Sequence, residues 1–468
     1  MYGRTFRERV AIAFLALSLG IGSVLAVLTV RSFTQPQGTL AASSAPGADV
    51  SASQAGAAVG TATGAAAATG SAPGGGGGSS ASASQAASGV SAGRIVVGGI
   101  FDMTGPVDSS VERDTVKSYF QKVNLSGGIN GRQLQMVDCD SKYDATAAHQ
   151  CAIQMTQANV LAIVGWTAPQ GENNEVKFLN DNGIPIIGGL GTPDEYAYPL
   201  SYPVSTPFTR YGTAIGARAG ELHIHHPAVV TLSDVPWIAP VRQKLLDALT
   251  AAGAPPTHVE DAHATDGDYT AHVFALMHSS DYSGTSKKCN GIETCPDSIV
   301  AALDPFSYTR LFQAMDRANW HPPVIGGGLD KGNVQNAYSD QLNNAHSLVP
   351  FISPYDNPGN PTVADYLSTV KHFYPAQYKA LDIYTQHSWT SAMVFVEALK
   401  RAGKNVTRAS LIAALNSIQN FNTGWSRPIS YGSGLHDPNH CFTWVDHDHT
   451  PAGSGGSWHT VSDWKCFG

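Results

Sequence analysis

The chain has 468 residues, with 28 Lys+Arg against 36 Asp+Glu, a net charge of −8 and only 14% charged residues. A single core stops growing near roughly 250–300 residues, so more than one folded unit is expected. The acidic balance excludes a basic nucleic-acid-binding face, because residues 1–93 are themselves net positive and leave the rest of the chain at −10.

Residues 10–30, VAIAFLALSLGIGSVLAVLTV, carry no charge over 21 positions. A bilayer core of about 30 Å asks for a helix of that length. Arg4, Arg7 and Arg9 precede it, which predicts a cytoplasmic N-terminus and a body outside. Residues 1–33 therefore read as an uncleaved membrane anchor. The alternative is a cleaved signal with LAAS at 40–43 as the processing site, and a secreted chain. Residues 34–93 are dominated by Ala, Gly, Ser and Thr and are expected to form a disordered linker reaching about 40–50 Å on average.

From Arg94 the pattern alternates. RIVVGGI predicts a strand, and RDTVKSYFQKVN a helix with apolar positions at Val116, Tyr119, Phe120 and Val123. SGGING closes that helix and turns into the strand RQLQMVD. Its order, helix before strand, is the reverse of a phosphate-binding loop, so these glycines are C-cap and turn chemistry. DATAAHQCAIQMTQA (helix), VLAIVG (strand), ENNEVKFLNDNG (helix) and IPIIGG (strand) follow. After the proline-rich seam YPVSTPF at 202–208 the rhythm restarts with PAVVTLS, WIAPVRQKLLDALTAAG, TAHVFALMH, SIVAAL, SYTRLFQAMDRAN and PPVIGGG. Helices are expected around 361–373, 380–402 and in TRASLIAALNSI, with Thr407 as N-cap, and strand pairs in HCFTWVD and GSWHTV. Apolar strands alternating with helices indicate parallel sheets covered on both faces. Two such clusters predict an α/β chain of two doubly wound, Rossmann-like lobes, which bind ligands outside the carboxyl ends of their strands.

Six cysteines lie in the body, an even count that suits disulfides in an exported chain. Of the fifteen possible pairings, proximity suggests Cys139–Cys151, Cys289–Cys295 and Cys441–Cys466. Zinc is the weaker reading, because the chain has no CxxC.

FDMTGPV, NLSGGINGRQLQMVDCDSKYDATAA, VLAIVGWTAP and NDNGIPIIGGLGTP, and later YTRLFQAMDRANWHPPVIGG and GKNVTRASLIAALNSI, follow one another in a specific order. Over residues 94–468 this resembles the branched-chain amino-acid (Leu/Ile/Val) binding proteins, type I periplasmic solute-binding proteins of ABC importers. The resemblance implies a three-segment hinge with crossings near 205–208, 327–330 and 423–428. Lobe 1 would comprise 94–206 and 328–424, and lobe 2 would comprise 207–327 and 425–468. Closure of the lobes around a ligand is the implied mechanism.

By position the family's first-lobe ligand loops fall on Trp166, Thr167, Ala168, Gly191 and Thr192, whose N–H and hydroxyl groups would suit a carboxylate. The family's usual serine falls near Ala168 or Pro169, which lack a hydroxyl. The acidic residue that meets an ammonium in the family aligns near Ser307, with Asp304 the nearest carboxylate, and a usual tyrosine is replaced around Trp237. Trp166, Trp237 and Phe306 offer aromatic surface for an apolar ligand, and Thr104 lies in the TGP turn. Each has a plainer reading: Trp166 as an interface plug, Trp237 as helix-start packing, and Asp304-Pro305 and Thr104 as turn chemistry.

HIHH at 223–226 and DHDH at 446–449 read as exposed polar stretches rather than metal sites. NVT at 405–407 has the glycosylation form, with the helix cap as the better account of Thr407. HExxH, GxSxG and GxxxxGK[ST] are absent. The expected function is binding without catalysis, cofactor or metal: a monomeric extracytoplasmic protein, held at the cell membrane by its N-terminal helix, captures a small-molecule solute for an ABC importer permease. Amino acids, amides, short-chain acids and aromatic acids remain open as ligands. The alternative is a ligand-sensing receptor using the same clamp with a partner signalling protein.

Overall fold

The computed structural model describes residues 88–277, 296–331, 334, 342, 344–448 and 457–468. The span expected at 10–30, nearly all of the expected linker, and the expected Cys289–Cys295 pairing lie outside the described residues. Among the described residues no helix is long and apolar enough to cross a membrane.

Two sheets organise the body. The first contains β1 (Arg94–Phe101), β2 (Gln133–Asp140), β3 (Ile163–Val164), β4 (Ile186–Ile187) and β5 (Ser201–Tyr202), in the order β2-β1-β3-β4-β5. All are parallel, with β1 and β2 in register from Arg94 opposite Gln133 to Phe101 opposite Asp140. Its helices are α1 (Ser110–Leu125), α2 (Ala145–Gln157) and α3 (Glu172–Asp181). The second sheet takes β6 (Pro227–Leu232), β7 (His258–Ala262), β8 (Ser298–Ala302), β9 (Val324–Gly327) and β10 (Ala345–Val349), in the order β7-β6-β8-β9-β10. That is the same doubly wound order repeated. Its helices are α4 (Phe208–Glu221), α5 (Ile238–Ala251), α6 (Thr270–Met277) and α7 (Pro305–Ala318). Then come α8 (Pro361–Phe373), α9 (Ile383–Ala402) and α10 (Arg408–Asn416), and finally β11 (Cys441–His447), β12 (Trp458–Thr460) and β13 (Lys465–Cys466). β11 pairs antiparallel with β10, β12 and β13.

Strand side chains alternate between faces, and the first sheet buries both. Ile95, Val97, Val164 and Ile187 pack with α1, α9 and α10 through residues such as Phe120, Phe395 and Leu411. Ile100, Ile163 and Ile186 pack on the other face with Met155, Val176 and Leu179 of α2 and α3. The turn after α1 is a C-cap with tight turn: Gly128, at φ +70°, donates to the Val123 carbonyl at 3.0 Å. A Cβ there would stand 2.1 Å from the Arg132 oxygen, so a side chain is excluded. Thr407 caps α10 by accepting from Ser410 N at 3.1 Å. Cys139–Cys151 and Cys441–Cys466 are disulfides, with Cα atoms 5.6 and 3.9 Å apart.

Two expected boundaries move. The division at 328 assigns residues 345–349 to the first lobe, yet β10 pairs with β9 and completes the second sheet. A doubly wound lobe needs its fifth strand, so the glycines after β9 form a loop at a strand end and the crossing follows Val349. The crossing expected at 423–428 also comes later. Trp425 is buried among Val363, Tyr366 and Trp389 of α8 and α9, and Tyr431 donates to the Pro203 carbonyl at 2.7 Å. The chain passes to β11 only after Tyr431.

Candidate functional site

The carboxyl ends of the two parallel sheets face a common cavity of about 860 Å³, counted to its open mouth. The first lobe contributes Val107, Glu112, Tyr143, Thr167 and Leu190, all from segments that follow β1 to β4. The second contributes Phe208, Tyr211, Leu232, Trp237, Asp304 and Phe306. Lys331, beyond β9, and Tyr384 of α9 complete the wall near Glu112. The lining is chiefly aliphatic and aromatic.

Hydrogen bonds cross the mouth between the lobes. Trp237 Nε1 donates to the Pro169 carbonyl at 2.7 Å and Gln170 Nε2 to the Asp234 carbonyl at 2.6 Å. Arg310 Nη2 donates to the Pro106 carbonyl at 3.1 Å. The Trp237 ring lies flat on Phe208, with centroids 4.9 Å apart and planes at 8°. This is a closed clamp.

Of the residues singled out in the sequence, the structure brings Thr167, Trp237, Asp304 and Phe306 to the cavity wall. Asp304 caps α7, accepting from Phe306 N at 2.8 Å, Ser307 N at 3.1 Å and the Ser307 hydroxyl. Burial pushes its pKa up, and both carboxyl oxygens are already engaged. The other positions lie elsewhere. Thr167 bridges to Phe101 as a strand continuation; alternation therefore turns its neighbours Trp166 and Ala168 away, into the core with Ile100, Cys151 and Val176. Thr104 is exposed and donates to Asp140 Oδ2 at 2.6 Å, as turn chemistry.

Gly191 and Thr192 do not line the cavity, and their N–H groups are spent. Both donate to Glu195 Oε1, at 2.6 and 2.7 Å, and Leu190 N donates to Glu172 Oε1 at 2.8 Å. Thr192 opens the one-turn helix Pro193–Tyr196 through a capping box with Glu195. Glu172 and Glu195 are each 1% exposed. Burial first, and Glu195 second, push the Glu172 carboxyl well above the usual range.

Sequence reasoning missed the charged end of the cavity. Lys331 Nζ meets Asp382 Oδ2 at 2.6 Å and Glu112 Oε1 at 3.5 Å, and lies 5.7 Å from the Phe306 ring. Burial works against the ammonium, and the two carboxyls outweigh it and raise its pKa. Asp382 is held further by Thr385 N at 2.8 Å, where it caps α9. Burial pushes Glu112 up to about 7 and Asp330 up to about 7. No local pattern in Val111-Glu112-Arg113 or Asp330-Lys331 marks these residues, because α1, β9 and α9 meet only in three dimensions. Among the described residues no group of three His, Cys, Asp or Glu is placed to hold a metal ion.

Two doubly wound lobes closing on a cavity at their strand ends define a clamp-type solute-binding protein. The chain belongs to the periplasmic binding protein family, which matches residues 94–452. No curated protein matches it. Among solved structures it is similar to a fatty acid ABC transporter substrate-binding protein from Thermomonospora curvata, at 17% identity and TM-score 0.68, over 81% of this chain and 94% of that one. It is also similar to the branched-chain amino acid transporter substrate binding protein LivJ from Streptococcus pneumoniae in complex with isoleucine, at 15% and 0.61, over 79% and 100%. A solute binding protein of an R. palustris ABC transporter in complex with benzoate matches at 18% and 0.63, over 79% and 98%. The family and these neighbours are non-enzymatic binding proteins, and the family implies an extracytoplasmic location.

Proposed function

We propose that this protein is the solute-binding component of an ABC-type importer and captures, by lobe closure, a small amphipathic solute with a largely apolar body. The observation that carries the reading is the cavity itself: aromatic and aliphatic walls from both lobes, with polar groups gathered around Glu112 and Lys331. Closure draws its energy from contacts made only when both walls touch the solute. A zwitterionic amino acid is less well supported, because the loop N–H groups expected to hold its carboxylate already bind Glu195. The reading includes a monomer tethered to the membrane by residues 10–30, handing its solute to a permease.

The test is a thermal-shift panel on the full-length protein, covering amino acids, amides, short-chain acids, aromatic acids and amphipathic amines and alcohols. A ligand at 100 times its Kd stabilises by about 2.7 kcal/mol. Hits among solutes with apolar bodies support the reading. A folded protein stabilised only by strongly polar solutes refutes it.

A further inference from the structure

The polar end of the cavity is unequally equipped. Lys331, its cation, is committed to Asp382 at 2.6 Å, and its second carboxyl neighbour is Glu112 at 3.5 Å. Asp304 is spent on its cap. Glu112 is 3% exposed, its Oε1 lies at long range from Lys331, and its Oε2 has no hydrogen-bond partner among the described residues. A buried polar oxygen without a partner costs free energy. Here the residue that carries that oxygen lines the cavity. Its position is fixed from the sequence upward: Glu112 sits in the first turn of α1, directly beyond the carboxyl end of β1, with Val111 and Val116 anchoring the helix in the core on either side.

We propose that Glu112 reads the polar end of the solute, so that the site selects apolar bodies ending in a hydrogen-bond donor over the same bodies ending in a carboxylate. An ammonium, hydroxyl or primary amide supplies the hydrogen that Oε2 lacks. A carboxylate brings a negative charge into a cavity with few polar groups to solvate it, where the one lining ammonium, Lys331, is already paired with Asp382 and neighboured by Glu112. Burial, which raises the Glu112 pKa, leaves room for both partners: a neutral carboxyl accepts from a hydroxyl or amide, and an ammonium draws the proton off and pairs with the carboxylate. The inference rests on the reading of this cavity as the solute site.

The experiment uses the full-length protein loaded with N-phenyl-1-naphthylamine, a neutral apolar fluorophore. It is titrated with 3-phenylpropylamine, 3-phenylpropan-1-ol, 3-phenylpropanamide and 3-phenylpropanoate, which share one apolar body. A buried hydrogen bond to a charged group is worth roughly ten- to a hundred-fold in affinity. The donor-headed compounds are therefore expected to displace the probe at concentrations at least about tenfold lower than the carboxylate. In Glu112→Gln that ratio is expected to fall towards one, because the amide donates to a carboxylate as readily as it accepts from an amine. Displacement by 3-phenylpropanoate as strong as by the amine in wild type overturns the inference and leaves the cavity as the solute site. A ratio unchanged in folded Glu112→Gln overturns the role of this residue. Failure of the probe and of all four compounds to bind the folded wild type overturns both readings. The wild-type ratio decides the headgroup preference even where the variant fails to fold.

Discussion

Replacing Trp237 by Phe removes the Nε1–H donor together with the five-membered half of the indole and leaves a phenyl ring. The phenyl keeps its place on Phe208, 4.9 Å away in the parent, and the Nε1 bond to the Pro169 carbonyl at 2.7 Å is lost. Trp237 belongs to the β6–α5 connection of one lobe and Pro169 to the β3–α3 connection of the other, so loss of the bond acts on closure, beside a small loss of packing where the ring joins the second lobe's core. A hydrogen bond contributes about 0.5–1.5 kcal/mol net, which lowers the closed-to-open ratio by about two- to twelvefold. Dyes on Leu125→Cys, at the exposed end of α1, and Ala252→Cys, at the exposed end of α5, report the separation of the lobes by energy transfer. Trp237→Phe is expected to lower mean transfer, and adding Gln170→Ala, which deletes the bond to the Asp234 carbonyl, to lower it further. Unchanged transfer in the double variant, with unchanged melting, refutes the assignment of these bonds to closure.

Lys331→Met leaves the buried Asp382 carboxylate without its ammonium and is expected to cost about 3–5 kcal/mol in urea unfolding, with Lys331→Met/Asp382→Asn recovering part of the loss. Asp330 is held protonated into the neutral range, up to about 7 from an ordinary 3.8, by burial first and Asp382 second. The folded state thus binds the proton more tightly than the unfolded one, and this group's contribution is fully present below about pH 4 and lost as pH rises towards 7. Asp330→Asn should accordingly gain stability relative to wild type between pH 4 and 7, as urea midpoints will read, and a flat difference across that window contradicts the assignment. A Cβ at Gly189 would lie 2.4 Å from Glu172 Oε1 and 2.5 Å from Glu195 Oε2, so Gly189→Ala is expected to lower the melting temperature by parting the two carboxyls. Removing Cys139–Cys151, which closes a loop of sequence separation 12, should cost about 2–3 kcal/mol.

Periodicity in the chain was enough to recover the alternation of strands and helices, because each β/α unit buries its own apolar stripe. The Thr407 cap was likewise legible as local chemistry, whereas Asp304-Pro305, expected as a turn, proves to be the N-cap of α7. The assignment of 345–349 was not: only the pairing of β10 with β9 and β11 decides its lobe, and pairing partners far apart in the chain leave no local mark. The site divides along the same line. Thr167 and Trp166 are adjacent in sequence, and alternation across one strand sends the first to the cavity and the second to the core. Aromatic residues such as Tyr211 and Tyr384 reach the cavity from helices whose cavity-facing and core-facing positions share one hydrophobic pattern. Lys331 and Glu112 look like ordinary surface charges until the helices close over them.

The loop after β4 carries its own counter-ligand. Glu195 and Glu172 take the amide hydrogens of Leu190, Gly191 and Thr192, and donors and acceptors all belong to the first lobe, so these amides are saturated by bonds that need nothing from the second. A solute entering beside Leu190 meets a wall that is already set, and ordering that wall adds no entropic toll to its binding. The same saturation makes the loop indifferent to which solute arrives. Discrimination is left to the other lining residues, and a change of solute preference can arise there without disturbing the loop after β4.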